Sequence, residues 1–222
     1  MQNDKPSIKI IVFNWMIFVG PILFFFFQLF FTGIFSIKEA GRLILSPLVI
    51  TFFILFNAVP LLLYRLIMPR LISYRKGGIS MEKANKLFQI YTKLSMYTPI
   101  ILNILLGILL LEIVHPETTQ IAKAALILQC TGSVFLFSLF FYVHFLQAAE
   151  KFLFFIPLRK EFLSLSLTVR SVLVAFFSIT GALCISITPL LCVKSQDILV
   201  TTLLTKVVPL SFIACLLGIG DF

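Results

Sequence analysis

Six long apolar segments divide this chain, and they constrain its fold more than any other feature. A helix of about 20 apolar residues crosses a bilayer core about 30 Å thick, and each segment reaches that length. The segments are Ile10–Phe35, Leu43–Tyr64, Ser95–Val114, Ala124–Gln147, Ser171–Val193 and Ile198–Ile219. We therefore predict an all-α, polytopic membrane protein with a bundle of six transmembrane helices, forming a single domain over residues 1–222.

The composition is unlike that of a soluble domain. Hydrophobic residues make up 60% of the chain and charged residues 12%, whereas soluble domains average about 45–50% apolar and about 25% charged residues. The net charge is +9, but the basic residues gather in a few connecting segments and form no stripe that alternates with aromatic residues. This distribution indicates membrane topology, so we expect membrane lipid as a partner and no nucleic acid.

Lysine and arginine residues are divided unequally between the two sets of connections. Of the 18 basic residues, 13 lie in the N-terminal segment and in the connections 65–94 and 148–170, and Lys206 lies inside the sixth apolar segment. The opposite set of connections holds the other four, which are Lys38, Arg42, Lys123 and Lys194. Because basic connections stay on the inner side, we predict a multi-pass protein of the inner (cytoplasmic) membrane with both termini in the cytoplasm.

Two cytoplasmic connections are predicted to be amphipathic segments on the inner membrane surface. In the first, Ser80 is a good N-cap and Glu82 lies in the first turn, where it favours the helix dipole. Apolar residues then recur at helical spacing as far as Leu94, with lysines largely on the other side, which predicts an interfacial helix leading into the third span. The second segment, Ala148–Arg170, combines a short aromatic stretch with basic residues. Anionic lipid would attract both segments by about 1 kcal/mol for each basic residue.

Polar residues inside the apolar segments are the candidate ligand-binding residues. Lys206 lies about 12 Å into the sixth segment. A charge at that depth marks a functional site, although the long lysine stem would also reach the outer interface. Asn57, Asn103 and Gln129 would bind a polar ligand or form hydrogen bonds between helices, which are worth ~0.6–2 kcal/mol each. Glu112, near the outer end of the third segment, is the carboxylate expected to approach Lys206.

The sequence shows no pattern of catalytic or metal-ligating residues. It contains no G-x-S-x-G, H-E-x-x-H or Walker motif and no pair of carboxylates within one segment. Four cysteines without a C-x-x-C pair are expected to behave as small hydrophobic side chains: Cys130, Cys184, Cys192 and Cys215. Three glycines are predicted to be close-packing points between helices: Gly107, Gly132 and Gly181. We expect no enzyme activity, no metal and no cofactor.

Several short phrases resemble the multi-span N-terminal sensor regions of bacterial methyl-accepting chemotaxis proteins and class III adenylate cyclases. The phrases are Leu45-Ser46-Pro47, Glu82–Lys86, Glu150-Lys151-Phe152, Ile156-Pro157 and Leu165–Leu167 with Arg170. In those proteins about six spans precede a linker helix and an output domain. The resemblance implies a membrane-embedded sensor or anchor domain of a signal-transduction protein, which relays a signal through its sixth helix. We expect a cytoplasmic output domain after Phe222 or a cytoplasmic signalling partner, and a homo-oligomer.

A small six-span transporter, or the substrate-binding subunit of one, fits the same features. The length of this chain, its six predicted spans and its intramembrane Lys206 agree with that class. The three outer connections are too short to form an external binding domain. In either class a solute or signal would be met at or within the membrane. A membrane-embedded enzyme acting on lipid is less compatible, because no acidic, histidine or cysteine residues pair at one depth.

Overall fold

The computed structural model describes residues 7–33, 35–114, 120–157, 167–191, 202–211 and 213, and these residues form a helical bundle without β-strands. The helices are α1 (Ile8–Phe31), α2 (Ile37–Ile44), α3 (Pro47–Ser73), α4 (Met81–Ile113), α5 (Gln120–Phe152) and α6 (Leu167–Leu190). A further helix, α7, covers residues 202–211 and contains a π-helical turn, Leu203–Val207.

Four of these helices are long and apolar enough to cross a membrane, namely α1, α3, α4 and α5. The apolar part of α6, Val174–Leu190, is shorter. Large apolar side chains on α3 and α4 are more than half exposed, including Ile54, Leu66 and Ile101. Such a belt is costly in water and normal against lipid, so the architecture is compatible with a multi-pass membrane protein.

Neighbouring helices run antiparallel, with α1 and α5 at the centre. Gly20 of α1 faces Phe141 of α5, and a Cβ atom at Gly20 would lie 3.2 Å from that ring. Phe24 pairs with Phe137 at a centroid distance of 4.5 Å, one helical turn farther along both helices. Helices α3 and α4 pack on one side of this central pair, while α6 and α7 pack on the other.

The predicted glycine contacts are confirmed. A Cβ atom at Gly132 would lie 2.8 Å from Ile185 Cγ1 and 3.1 Å from the carbonyl oxygen of Gly181, so α5 and α6 cross with their backbones nearly touching. Gly107 of α4 similarly faces Cys130 of α5, at 3.2 Å. Small residues allow the close backbone approach on which helix packing in lipid depends.

Several helices begin directly after a serine N-cap. The start of α3 differs from the predicted start of the second span. That span was expected to begin at Leu43, but Leu43 belongs to α2, which begins with a capping box of Ser36 and Glu39. Helix α3 begins only at Pro47, after the N-cap Ser46. The connection between α1 and α3 therefore contains a short helix that the hydrophobic pattern did not predict, because the capping box and not hydrophobicity determines its start.

The first predicted interfacial segment and the third span form one helix. Ser80 is the N-cap of α4, as predicted, and α4 then runs unbroken for 33 residues. Ala84, Phe88 and Tyr91 from the predicted apolar face are buried in the bundle core. Packing against protein has therefore replaced the expected position along a membrane surface. Of the second segment, residues 158–166 lie outside the described residues.

The α3–α4 turn and the end of α5 form one end of the bundle, here called the Gly77 end. The Arg75 guanidinium lies over the Phe155 ring, 5.2 Å from its centroid. Asn85 Nδ2 donates to the carbonyl oxygen of Pro157 at 3.2 Å. Leu153 and Ile156 are buried beside them. Helices α3, α4 and α5 therefore stay packed together beyond the apolar belt. The opposite end, where α1 finishes at Phe31 and Thr32, is called the Thr32 end.

Candidate ligand-binding site

A buried cluster of uncharged polar side chains joins α1 to α5 close to the Thr32 end. Gln129 Nε2 donates to Thr32 Oγ1 at 2.9 Å, and Thr32 Oγ1 donates to the carbonyl oxygen of Gln28 at 2.8 Å. Ser133 Oγ lies 2.6 Å from the carbonyl oxygen of Gln129 and 3.2 Å from Gln28 Oε1. All four side chains are buried. The i, i+4 spacing within each helix places two polar residues on each facing surface.

Lys206 extends this cluster from the π-helical turn of α7. Its Nζ atom donates to the carbonyl oxygen of Thr32, the C-cap residue of α1. The last carbonyls of a helix have no partner within it and carry a partial negative charge of about half an electron, so an ammonium group there is stabilising. A helical lysine side chain points toward the N-terminus of its own helix, which explains how Lys206 reaches the end of α1.

Gly33 leaves room for this contact. Its φ angle of +66° is one that other residues rarely adopt, and a Cβ atom at Gly33 would lie 3.1 Å from Lys206 Nζ. The glycine is exposed, whereas Lys206 is half-buried. The ammonium group therefore lies beside an exposed residue at the Thr32 end.

Two amides of the cluster keep a buried polar atom without a hydrogen-bond partner. These atoms are Gln28 Nε2 and Gln129 Oε1. Buried polar atoms are nearly always satisfied, and leaving one without a partner costs about 1–3 kcal/mol. An arrangement that retains two such atoms beside a lysine has spare hydrogen-bonding capacity for a small polar ligand.

Asn57 lies in a second polar group, away from Lys206. Its Oδ1 atom accepts a hydrogen bond from Trp15 Nε1 at 2.9 Å, which links α3 to α1. Nearby, Asn14 Nδ2 donates to the carbonyl oxygen of Pro60 at 3.1 Å, and Ser95 Oγ donates to Asn14 Oδ1 at 2.9 Å. These bonds connect α1, α3 and α4 and satisfy the groups that take part, so they have a structural role.

The other predicted residues are not brought to the cluster. Asn103 is buried, and its Nδ2 atom donates to the carbonyl oxygen of Pro99 in its own helix at 2.8 Å. Glu112 is exposed near the end of α4. Lys206 makes its contact with Thr32 instead of with Glu112. Of the five predicted residues, the structure thus joins Lys206 and Gln129 through Thr32.

Three residues of the cluster were missed by sequence reasoning: Gln28, Thr32 and Ser133. An available signal was the i, i+4 pairing of polar residues within apolar helices, at 28 and 32 and again at 129 and 133. Among the described residues, no group of three or more histidine, cysteine or acidic side chains could hold a metal ion. The cluster can therefore form hydrogen bonds through its amide and hydroxyl groups, and its lysine ammonium group can bind acceptor atoms.

Comparison with protein-family models, with curated proteins and with solved structures finds no match to this chain.

Proposed function

We propose that the chain is a six-span protein of the inner membrane with both termini in the cytoplasm, and that it is the sensor or anchor domain of a bacterial signal-transduction protein. The orientation rests on the excess of basic residues at the Gly77 end and in the N-terminal segment. Arg65, Arg70, Lys76 and Lys83 are exposed there. In this orientation the Thr32 end faces outward.

The contact between Lys206 and Thr32 is the observation that carries the signalling proposal. It joins α7 to α1 through one charged side chain at the proposed outward end. On α7, Ser211 also forms a hydrogen bond of 2.8 Å with Ser186 of α6. A ligand that takes the ammonium group from Thr32 would change the free energy of the α7 position, and only such a difference between two states can transmit a signal.

A chimera with a readable output tests this proposal. The catalytic domain of a class III adenylate cyclase is fused after Phe222 through four helical linkers that differ by one residue each, so that every angular phase of the helix is sampled. In at least one linker phase, Lys206→Met should change cellular cyclic AMP several-fold relative to the unsubstituted chimera. Lys38→Met removes an exposed charge at the same end and should not. Equal output from both variants in every phase, with equal protein in the membrane, would overturn the signalling proposal.

The alternative is a small transporter or the substrate-binding subunit of one. The unpaired amide atoms of Gln28 and Gln129 favour it as well, because they offer binding capacity inside the bundle. Proteoliposomes containing the purified chain distinguish the two functions. Uptake of a radiolabelled amino acid, hydroxy acid or vitamin that Lys206→Met abolishes would support transport, whereas a chimera response without uptake would support sensing.

A further inference from the structure

The hydrogen-bonding capacity left at the Thr32 end has a definite chemical pattern. Lys206 has three N–H groups, and within the described part of the chain one of them is used, in the hydrogen bond to the carbonyl oxygen of Thr32. The end of α1 supplies about half a negative charge, which by itself balances only about half of the ammonium charge. A cation that is half-buried in an apolar bundle is stabilised by an anionic partner far more than it would be in water.

Gln129 supplies the second element of the pattern. Its Nε2 atom donates to Thr32 Oγ1, which in turn donates to the carbonyl oxygen of Gln28, so the orientation of the amide is fixed by the bonds around it. Gln129 Oε1 is consequently an acceptor, it is fully buried, and it has no donor. A ligand that fills the site must therefore bring an N–H or O–H group.

Gln28 adds a third group whose orientation is less constrained. Ser133 has one hydroxyl hydrogen, and the shorter contact of 2.6 Å to the carbonyl oxygen of Gln129 uses it. The amide of Gln28 can then turn its nitrogen toward Ser133, and in either orientation one of its two polar atoms has no partner. Gln28 is thus able to donate to or accept from the same ligand.

We propose that the cluster of Gln28, Thr32, Gln129, Ser133 and Lys206 binds a group in which an anionic oxygen and a hydrogen-bond donor lie close together. Lys206 binds the carboxylate or phosphate oxygen, and Gln129 Oε1 accepts from the neighbouring ammonium, amine or hydroxyl group. Both residues bond to Thr32, so one small group reaches them together. A ligand would enter beside Gly33, which is exposed and adjacent to the Lys206 ammonium group.

Two sources carry this chemistry. A free α-amino or hydroxy acid has a carboxylate beside an N–H or O–H group, and a phosphatidylethanolamine headgroup has a phosphate near an ammonium group. This inference deepens the proposed sensor by naming the chemistry of its stimulus, and it rests on the bundle lying in a membrane with the Thr32 end accessible.

Two matched pairs of probes test it on the full-length chain. Glycine is compared with trimethylglycine, which keeps the carboxylate and lacks N–H donors. Nanodiscs of phosphatidylcholine with phosphatidylethanolamine are compared with phosphatidylcholine alone, which keeps the phosphate and lacks N–H donors. Thermal unfolding of the purified protein is measured in each condition, because a ligand that binds the folded state raises the unfolding temperature.

We expect stabilisation by glycine but not by trimethylglycine if the ligand is free, or by phosphatidylethanolamine over phosphatidylcholine if it is a lipid. Lys206→Gln should weaken the response about tenfold or more in midpoint concentration, as expected for loss of a charge-assisted hydrogen bond. Gln129→Leu should remove the difference within each pair. Lys38→Gln should leave the response unchanged. Lys206→Arg keeps the cation and should keep the response even if Lys206→Gln folds poorly.

Absence of discrimination in both pairs, or a full response in folded Lys206→Gln protein, would overturn the inference. Its failure is separable from failure of the signalling proposal. Ligand binding is measured here without any output domain, whereas the cyclase chimera reports the coupling of α7 without any added ligand.

Discussion

Ser138 of α5 donates a hydrogen bond of 2.8 Å to the carbonyl oxygen of Ile17 in α1. Ile17 lies four residues before Pro21, and proline has no N–H group to donate to that carbonyl. The neighbouring helix thus satisfies the backbone group that the proline leaves unpaired. This is how a proline is tolerated deep in an apolar bundle, where water is not present to replace the missing donor.

Replacing Ser138 with alanine should lower the free energy of unfolding by about 1–3 kcal/mol, because the Ile17 carbonyl would be buried without a donor. Pro21→Ala restores a backbone N–H group for that carbonyl, so the double variant should lose much less stability than Ser138→Ala alone. Unfolding in detergent micelles by a stronger denaturing detergent measures these changes. Thr51→Ala, which removes an exposed hydroxyl that bonds within its own helix, is the control. Equal losses in the single and double variants would contradict the assignment.

The crossing of α5 and α6 predicts a strong effect at Gly132. A Cβ atom there would lie 2.8 Å from Ile185 and 3.1 Å from the Gly181 backbone, so Gly132→Ala should destabilise the bundle by about 1–3 kcal/mol through overpacking. Gly41 provides the matched control, since a Cβ atom there would meet nothing within 4 Å. Gly41→Ala should be neutral or stabilise α2 by about 0.5–1 kcal/mol. Thermal unfolding of the purified variants compares them, and similar losses at both glycines would refute the crossing.

Trp15 is the one tryptophan of the chain, so its fluorescence reports directly on the bond to Asn57. Asn57→Leu removes the acceptor of the indole N–H group, and we expect the emission maximum to move to shorter wavelength with a loss of about 0.6–2 kcal/mol in stability. Asn103→Leu removes an amide that bonds within α4 and should leave the emission unchanged. An emission maximum that does not respond to Asn57→Leu would show that Trp15 is not bonded to it.

Glu112 is predicted to be dispensable for folding. Its side chain is exposed, and Lys206 bonds to Thr32 instead, so Glu112→Gln should change stability by no more than about 0.5 kcal/mol. Exchanging the two charges, with Glu112→Lys and Lys206→Glu together, should not restore the stability lost in Lys206→Glu. Recovery in the double variant would instead indicate an ion pair between the two residues.

The sequence predicted the helical class and much of the helix positions, because apolar length is a strong signal. It failed at helix ends. The second apolar segment ends at Tyr64, yet α3 continues to Ser73. The helix continues beyond the apolar belt because its arginines are exposed there and Leu71 is buried. Lys206 and Gln129 were identified as polar residues in apolar segments. Their joint contact with Thr32 depends on the register between α1, α5 and α7, which is a tertiary property that no local pattern contains.

Accessibility of two single cysteines tests whether lipid surrounds the bundle and whether the Gly77 end faces the cytoplasm. Lys38→Cys and Lys76→Cys are introduced at exposed positions in a chain whose four native cysteines are replaced by alanine. Intact cells are then treated with a membrane-impermeant maleimide. We expect labelling at position 38 without permeabilisation and at position 76 only after it, with both proteins remaining in carbonate-washed membranes. Labelling of position 76 in intact cells would overturn this orientation, and release of the chain by carbonate would overturn its place in the membrane.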